Sequence, residues 1–236
     1  CYKCTAIFIA ALNGHADIVE ALLAKGSDPN QARTDGTTPV FIAAQKGHAD
    51  VVEMLLTNGV DPDKPGTTDG YTPIFIAALE NHPGVVEALL AKGANPNQTG
   101  PRRGGTPMYL AAEKGHQDVV EALLENGADP NKARTIDGTT PLYIAVHKGN
   151  LGIVNMLLAK GADPNKAMTG TGITPLLLAT TLRNLNIIKA LLKYNAINPN
   201  QAMTTNGITP FYIAAENGDL DAVKELLKHP SINPNQ

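Results

Sequence analysis

The stretch that decides the fold runs from Thr38 to Leu56 and reads TPVFIAAQKGHADVVEMLL. Thr followed by Pro is typical of a helix start, because the Thr side chain caps free N–H groups and Pro loses no hydrogen bond at the first helical position. Gly47 follows after about two helical turns and is typical of a left-handed helix end. Apolar residues then recur at i, i+1, i+4 and i+5, on one face of a second helix. The stretch therefore predicts two short antiparallel helices.

The same pattern recurs along the chain at a nearly constant period. Thr5-Ala6 is a degenerate first copy, and six Thr-Pro steps follow, at Thr38, Thr72, Thr106, Thr140, Thr174 and Thr209. The threonines are separated by 33, 34, 34, 34, 34 and 35 residues, which is the signature of stacked repeats. We expect a single domain over 1–236, with repeats at about 1–34, 35–68, 69–102, 103–136, 137–170, 171–205 and 206–236.

Three further features recur in phase with the Thr-Pro step. Small pairs such as Ala43-Ala44 and Ala77-Ala78 predict close stacking of the first helices, with the Leu-Leu face of each second helix filling the space between repeats. Asp-Gly and Asn-Gly steps predict tight turns before the next Thr-Pro. A Gly-x-Asp-Pro-Asn step closes many repeats, and its proline stiffens the exit from the second helix.

These residues resemble the ankyrin repeat, whose familiar elements are Thr-Pro-Leu-His-x-Ala-Ala, Gly-His, Val-x-x-Leu-Leu and Gly-Ala-Asp. The resemblance covers essentially residues 2–236. It implies an all-α ankyrin-repeat solenoid of helix–turn–helix units with protruding loops and β-turns. It also implies a gently curved stack in which the loops and inner helices form a concave surface for a protein partner.

Two departures from the family pattern stand out. The family's His after Thr-Pro-Leu is replaced by aromatic residues, with Leu177 as the exception, and we interpret these as a column packed between repeats. They are Phe8, Phe41, Phe75, Tyr109, Tyr143 and Tyr212. The sixth repeat carries Arg183 where Gly is favoured, at a cost of about 1 kcal/mol if the backbone is left-handed there. Either this is a tolerated imperfection or it marks a softer place shaped for a partner.

The composition limits which classes of partner and which cellular compartment we expect. The chain has a net charge of −3 and no basic tail, which argues against nucleic acid, and no apolar run long enough to span a membrane. Two cysteines in 236 residues favour a reducing compartment, so we expect an intracellular monomer. The first residue is Cys, from which we expect a fragment of a larger protein.

No constellation of residues predicts catalysis, a cofactor or a metal site. Cys1 and Cys4 form a Cys-x-x-Cys, but a zinc site would need a second pair of ligands. The histidines at 15, 48, 82 and 116 recur at the repeat period and so mark the starts of second helices. Nothing assembles a nucleophile, a base and an orienting group. We expect a protein that is not an enzyme.

The resemblance implies which positions contact a partner, namely the loop tips before Thr-Pro and the two residues after each alanine pair. Transferred position by position, these are Asp35, Thr37, Gln45, Lys46, Asp69, Tyr71, Leu79, Glu80, Arg102, Arg103, Glu113, Lys114, Asp137, His147 and Lys148, with Thr181 and Leu182 in the sixth repeat. Tyr71, Arg102 and Arg103 are the first candidates, because tyrosine and arginine are typical interface anchors. The arginines suggest an acidic partner segment.

Two functions remain open at this point. The first is a protein-interaction scaffold that binds its partner through the concave loop surface. The second is a targeting or regulatory arm of a larger enzyme or of a bacterial effector delivered into a host cell, with the catalytic part outside this chain. The sequence does not identify the partner.

Overall fold

The computed structural model describes residues 4–101 and 104–235, and within them the chain forms fourteen short α-helices and no strand, as predicted. Each repeat contributes a first helix directly after its Thr and a second helix after a short turn. The pairs are α1 (Ala6–Asn13) and α2 (Ala16–Ala24), α3 (Pro39–Lys46) and α4 (Ala49–Thr57), α5 (Pro73–Leu79) and α6 (Pro83–Ala91), α7 (Pro107–Lys114) and α8 (Gln117–Glu125), α9 (Pro141–His147) and α10 (Leu151–Ala159), α11 (Pro175–Thr181) and α12 (Leu185–Leu192), and α13 (Pro210–Glu216) and α14 (Leu220–Leu227).

The helices belong to two compact units. The N-terminal unit lies within residues 1–111 and 118–129, and the C-terminal unit within 112–117 and 130–236. In the N-terminal unit the first helices α1, α3 and α5 pack in sequence, and the second helices α2, α4 and α6 do the same. In the C-terminal unit α9, α11 and α13 pack in sequence, as do α10, α12 and α14. Within each unit, neighbouring repeats therefore stack on one another.

The predicted caps are confirmed. Six of the seven Thr hydroxyls accept a hydrogen bond from the backbone N–H three residues later, as Thr38 does from Phe41 at 3.3 Å and Thr140 from Tyr143 at 3.1 Å. Thr72 has the extended backbone of a cap without this side-chain bond. Gly47 ends α3 with φ of 81°, in the left-handed region where L-residues are disfavoured. The Thr-Pro and Gly steps therefore set both ends of the first helix.

The core of each unit is the layer between neighbouring repeats. Ala43 and Ala44 have no exposed surface, and neither have Val52 and Leu55 on the second helix of the same repeat. A helix of seven to nine residues is marginal alone in water. Burial against the next repeat is therefore what stabilises each helix pair.

The Gly-His step joins neighbouring repeats. The ring of His48 lies over Gly14 of the preceding repeat, where a Cβ would come within 2.5 Å of the imidazole. His48 Nε2 lies 3.1 Å from the carbonyl oxygen of Leu12, and His82 repeats this contact with Gln45 at 3.0 Å. These histidines therefore start second helices, as predicted, and also hydrogen-bond to the preceding repeat.

The aromatic column packs against the loop of the following repeat. Four of its members meet a residue 25 positions later in the chain. Phe41, for example, contacts Gly66, and a Cβ on that glycine would lie 2.2 Å from the Phe41 Cβ. The Arg33 guanidinium lies 5.5 Å from the centre of the Phe8 ring. The column is buried, except that Tyr212 in the last repeat is half exposed. This confirms the interpretation of the column as packing between repeats.

A ladder of Asp and Asn side chains crosses the loops that follow the second helices. In each rung a side-chain oxygen accepts the backbone N–H of a residue 32 or 33 positions later, at 2.7–2.9 Å. The acceptors are Asp63, Asn97, Asn131, Asn165 and Asn200. Three of the asparagines also donate to the next repeat, as Asn165 does to the carbonyl of Ala196 at 2.6 Å. The Asp-Pro-Asn step is therefore a connector between repeats as well as a stiff loop.

Among residues 4–101 and 104–235, two residues other than glycine adopt left-handed backbone conformations, both at the ends of first helices. Asn81 has φ of 63° and Arg183 has φ of 55°, which confirms the strained backbone expected in the sixth repeat. The Arg183 Nε lies 3.7 Å from a carboxylate oxygen of Asp219, and the Arg183 side chain is 58% exposed. Such an exposed ion pair contributes little to stability.

Replacing Arg183 with Gly is expected to stabilise the protein. Removing the Cβ relieves the left-handed strain of about 1–2 kcal/mol, against which a smaller loss from the exposed ion pair must be set. We expect a net gain of roughly 0.5–1 kcal/mol in the free energy of unfolding, measured by urea denaturation. Asn81→Gly is the matched control and should gain less, because Asn tolerates this conformation. A loss of stability in Arg183→Gly would contradict the strain argument.

Two Gly→Ala substitutions should have opposite effects. Gly66→Ala places a methyl group inside the Phe41 ring contact and should cost about 1–3 kcal/mol through overpacking. Gly84 lies in α6 with its nearest neighbour 3.9 Å from an added Cβ, so Gly84→Ala should gain about 0.5–1 kcal/mol in helix propensity. Thermal unfolding of both variants tests the pair, and equal shifts would show that the aromatic column does not constrain the loop.

Candidate functional site

Within each unit, the predicted contact residues that the structure describes lie on a surface that we call the loop face. It consists of the loops that precede each Thr-Pro step together with the last residues of the first helices. In the N-terminal unit the predicted residues on it are Asp35, Thr37, Gln45, Lys46, Asp69, Tyr71, Leu79 and Glu80. In the C-terminal unit they are Glu113, Lys114, Asp137, His147 and Lys148. Arg102 and Arg103 lie outside the described residues.

Each loop is closed by backbone hydrogen bonds around a tight turn. The Arg33 N–H donates to the Thr37 carbonyl at 2.8 Å, and the Arg134 N–H donates to the Thr139 carbonyl at the same distance. The glycine at the turn, such as Gly36 with φ of 86°, takes the left-handed conformation that the Asp-Gly step predicts. The loops are therefore defined turns with fixed tips.

An arginine–aspartate pair reinforces two of these loops. In the second repeat the Arg33 guanidinium donates to Asp35, and the Thr37 N–H donates to the other Asp35 oxygen at 3.1 Å. Hydrogen bonding from Arg33 holds the pKa of the Asp35 carboxyl well below its usual range. Thr37 itself is buried, so any contact it makes with a partner would be confined to a small part of its surface.

The loop of the fifth repeat has the same arginine–aspartate pair, which we call the loop clamp, with one additional hydrogen-bond donor. Arg134 donates to Asp137 through Nε at 3.1 Å and through its terminal nitrogen, and the Thr139 hydroxyl donates at 2.7 Å. The hydrogen bonds from Arg134 lower the pKa of Asp137 to about 2, although burial alone would raise it, and Thr139 adds to the lowering. Asp35 and Asp137 therefore shape their loops, and their role as partner contacts stays a prediction.

Neighbouring loops within a unit are joined to one another. In the N-terminal unit the Thr38 N–H donates to the Gly66 carbonyl at 3.1 Å. In the C-terminal unit the Thr169 N–H donates to the Asp137 carbonyl at 2.8 Å, and the Thr204 N–H to the Thr171 carbonyl at 3.0 Å. Each unit therefore holds its loop tips in register.

The ends of the first helices supply the charged part of the loop face. In the N-terminal unit Lys46 and Glu80 are exposed on packed neighbouring helices, and Gln45 and Leu79 beside them are half-buried. In the C-terminal unit Lys114, His147 and Lys148 are exposed, and Glu113 is half-buried. The Asn150 side chain donates to the Ala112 carbonyl at 3.4 Å, which ties these two repeats together at this end. The predicted residues are thus mostly accessible and of mixed charge.

Tyr71 is positioned as a rigid aromatic at the base of its loop. Its ring centre lies 5.1 Å from that of Phe75 in the aromatic column, in a tilted arrangement. The Tyr71 N–H donates to the Thr67 hydroxyl at 3.3 Å, and the Tyr71 carbonyl accepts from the Gly66 N–H at 2.9 Å. The side chain is half-buried. A preorganised, partly exposed tyrosine of this kind loses little entropy when it contacts a partner.

Ile136 is an exposed apolar residue on the loop face that sequence reasoning missed. It lies at the loop tip of the fifth repeat with 59% of its surface exposed. The sequence could have indicated this position, because Ile136 directly precedes an Asp-Gly turn where the other loops carry polar or small residues. In the same unit Leu182, at the end of α11, is 46% exposed. The C-terminal unit thus adds apolar side chains to its lysines.

Outside the loop face, the described residues offer few reactive groups. Cys4 is exposed and has a free thiol, and Cys1 lies outside the described residues. Over residues 4–101 and 104–235 there is no group of three His, Cys, Asp or Glu side chains able to hold a metal ion. In the same ranges no helix has the length and apolar character needed to cross a membrane.

The loop clamp of the fifth repeat should make stability depend on acid. The pKa of Asp137 is lower in the folded state than its ordinary value of 3.8, so its contribution is complete above about pH 4 and is lost as the pH falls towards 2. Asp137→Asn should cost about 1–2 kcal/mol at neutral pH and flatten the loss of stability between pH 4 and 2. Asp221→Asn on α14, which forms no loop clamp, is the control in urea unfolding at several pH values. An unchanged slope in Asp137→Asn would contradict this role.

Two solved structures share this arrangement of helices. One is the ankyrin repeat domain of Bcl-3, described as a unique member of the IkappaB protein family. It matches with a TM-score of 0.84 at 24% identity, over 95% of this chain and 99% of that one. The other is the human ASB11 ankyrin repeat domain, with a TM-score of 0.75 at 25% identity, over 98% of this chain and all of that one. A search of curated proteins found no match.

The family model for ankyrin repeats, built from three copies, matches residues 7–100, 98–168 and 165–236. The three matches together account for nearly the whole sequence. They agree with the Thr-Pro caps, the buried alanine pairs and the Gly-His contacts described above. The chain belongs to the ankyrin repeat family.

Proposed function

We propose that this protein is an interaction scaffold that binds a partner protein through its loop face. Ankyrin repeat domains generally mediate protein–protein interactions and are not catalysts. The observation that carries the proposal is that the side chains used for stacking between repeats differ from those displayed on the loop face. Alanine pairs, aromatic residues and the Asp/Asn ladder are used between repeats, whereas the loop face presents residues of varied chemistry on turns held in register.

The anchors that we propose differ between the two units. In the N-terminal unit Tyr71 is the aromatic anchor, and Lys46 and Glu80 add exposed charges at the ends of first helices. In the C-terminal unit the exposed Ile136 at a loop tip is combined with Lys114 and Lys148 at the ends of first helices, which suits a segment with acidic and apolar residues. Arg102 and Arg103 stay candidate contacts on the basis of sequence.

The chemistry of the face also limits the class of partner. Lys46 and Glu80 have opposite signs on neighbouring repeats, and the whole chain carries a net charge of −3. A nucleic acid would need a predominantly basic surface. The proposed partner is therefore a protein. We also propose that the chain binds it as a monomer inside the cell.

Site-specific photo-crosslinking tests which surface the partner contacts. A photoreactive residue placed at Glu80 or Lys148 should form crosslinks to a partner in cells, whereas the same residue at Asn155, exposed on a second helix, should not. Tyr71→Ala should reduce the Glu80 crosslink at least about tenfold, the typical cost of removing an interface anchor. Circular dichroism would establish that the variants fold. Equal crosslinking from Asn155 and Glu80 would rule out the loop face as the binding surface.

A further inference from the structure

One exposed position on the second helices carries a charge that changes sign along the chain. It is the residue after the paired apolar residues, and it faces solvent in all seven repeats. The seven residues are Glu20, Glu53, Glu87, Glu121, Asn155, Lys189 and Lys224. The position plays no part in the packing between repeats, so its charge is available for another purpose. These residues lie on the second helices, apart from the loop face.

The acidic members at the start of the chain border a groove between α2 and α4. The groove has a volume of about 550 Å³ and lies entirely within the N-terminal unit. Its apolar surface comes from Leu23, Ala24 and Met54. Glu20 and Glu53 supply its carboxylates together with Asp50. It therefore combines an apolar floor with acidic rims.

A second groove continues this surface between α4 and α6. Its volume is about 440 Å³, and it shares Asp50 and Glu53 with the first groove because both residues lie on α4. Glu87 adds a further carboxylate, Ala88 adds apolar surface, and Lys92 is the basic residue at its edge. The two grooves thus form one surface across three neighbouring helices, which we call the acidic groove.

The glutamates of the acidic groove have no ion-pair partner in the part of the chain that the structure describes. Over residues 4–101 and 104–235, neither Glu20, Glu53 nor Glu87 lies within ion-pair distance of a lysine, arginine or histidine. One oxygen of Asp50 accepts the Val51 N–H at 2.8 Å, as is usual at a helix start. Carboxylates concentrated beside an apolar floor repel one another, and a cationic ligand would relieve that repulsion.

We propose that the acidic groove binds a basic, amphipathic segment of a second protein partner. Apolar side chains of such a segment would cover Leu23 and Met54, and the flexible Met54 side chain can adapt to their shape. Lysine or arginine side chains on both edges of the segment would then reach Glu20, Glu53 and Glu87. Charge complementarity and the apolar floor together select this partner over an acidic or a purely polar one. The inference is independent of the loop face.

A synthetic peptide provides the probe. It is a fluorescein-labelled helix of Leu and Lys, with Leu at i, i+3, i+4 and i+7 spacing, and its binding to the full chain is followed by fluorescence anisotropy. We expect saturable one-to-one binding that weakens at least about tenfold when salt is raised from about 0.05 to 0.3 M, because screening acts on exposed charges. A peptide of the same composition in an order without an apolar face should bind at least about tenfold more weakly.

Charge reversal at Glu53 tests the groove itself, because this residue borders both parts of it. Glu53→Lys should weaken binding at least about tenfold, and the milder Glu53→Gln should weaken it by a smaller factor. Glu121→Lys is the matched control: it makes the same change at the same position of α8, borders neither groove, and should bind nearly as the original chain does. Met54→Gln should also weaken binding, because it makes the floor polar.

Several outcomes would overturn the proposal. Equal losses in Glu53→Lys and Glu121→Lys, or equal binding of the two peptides, would mean that net charge alone attracts the probe. An absence of saturable binding at low salt would also overturn the proposal. Unfolding curves would separate these outcomes from misfolding, with Glu53→Gln as the variant least prone to it. Tyr71→Ala, which borders neither part of the acidic groove, should bind the peptide normally, so failure of the loop-face proposal would leave this one standing.

Discussion

The contact between one repeat and the next is the interaction on which the rest of the structure depends. Each repeat consists of two helices of seven to nine residues, too short to be stable alone in water. Ala43 and Ala44 bring their first helix against its neighbours without any exposed surface, and Val52 and Leu55 are equally buried on the second helix. Every repeat is buried against its neighbours. The free energy of unfolding of each unit is therefore close to the sum of the contributions of the individual repeats and of the contacts between neighbouring repeats.

The same constraint explains why so many residues recur. His48 needs Gly14 one repeat earlier, since any Cβ there would collide with its ring, and Phe41 needs Gly66 for the same reason. Asn165 reaches the backbone of the next repeat from a position that only a constant period can supply. A constant period lets the same side chain make the same contact at the next repeat, as His82 repeats the contact of His48. Residues that break the pattern are the ones available for recognition.

Much of this architecture follows from the sequence, because caps and buried faces depend on near neighbours in the chain. The Thr-Pro starts, the glycine ends and the left-handed backbone at Arg183 were all predictable in this way. The Asp/Asn ladder was not, because its bonds join residues 32 or 33 positions apart and depend on how repeats stack. The loop clamps were missed although their partners are close in the sequence: Asp35 and Asp137 occupy loop positions typical of partner contacts, yet their oxygens are bonded to arginines within the loop.

The two faces of a repeat can be varied separately, and this has a consequence for recognition. Glu80 lies at the end of a first helix on the loop face, whereas Glu87, one turn into the second helix of the same repeat, borders the acidic groove. Neither side chain is required for stacking, so each can change without disturbing the contact between repeats. Two surfaces of different chemistry can therefore be displayed by one repeat, and a chain of this kind is suited to hold two partners at once. The ordering of Glu20, Glu53 and Glu87 on consecutive repeats shows how a periodic scaffold turns single substitutions into an extended charged surface.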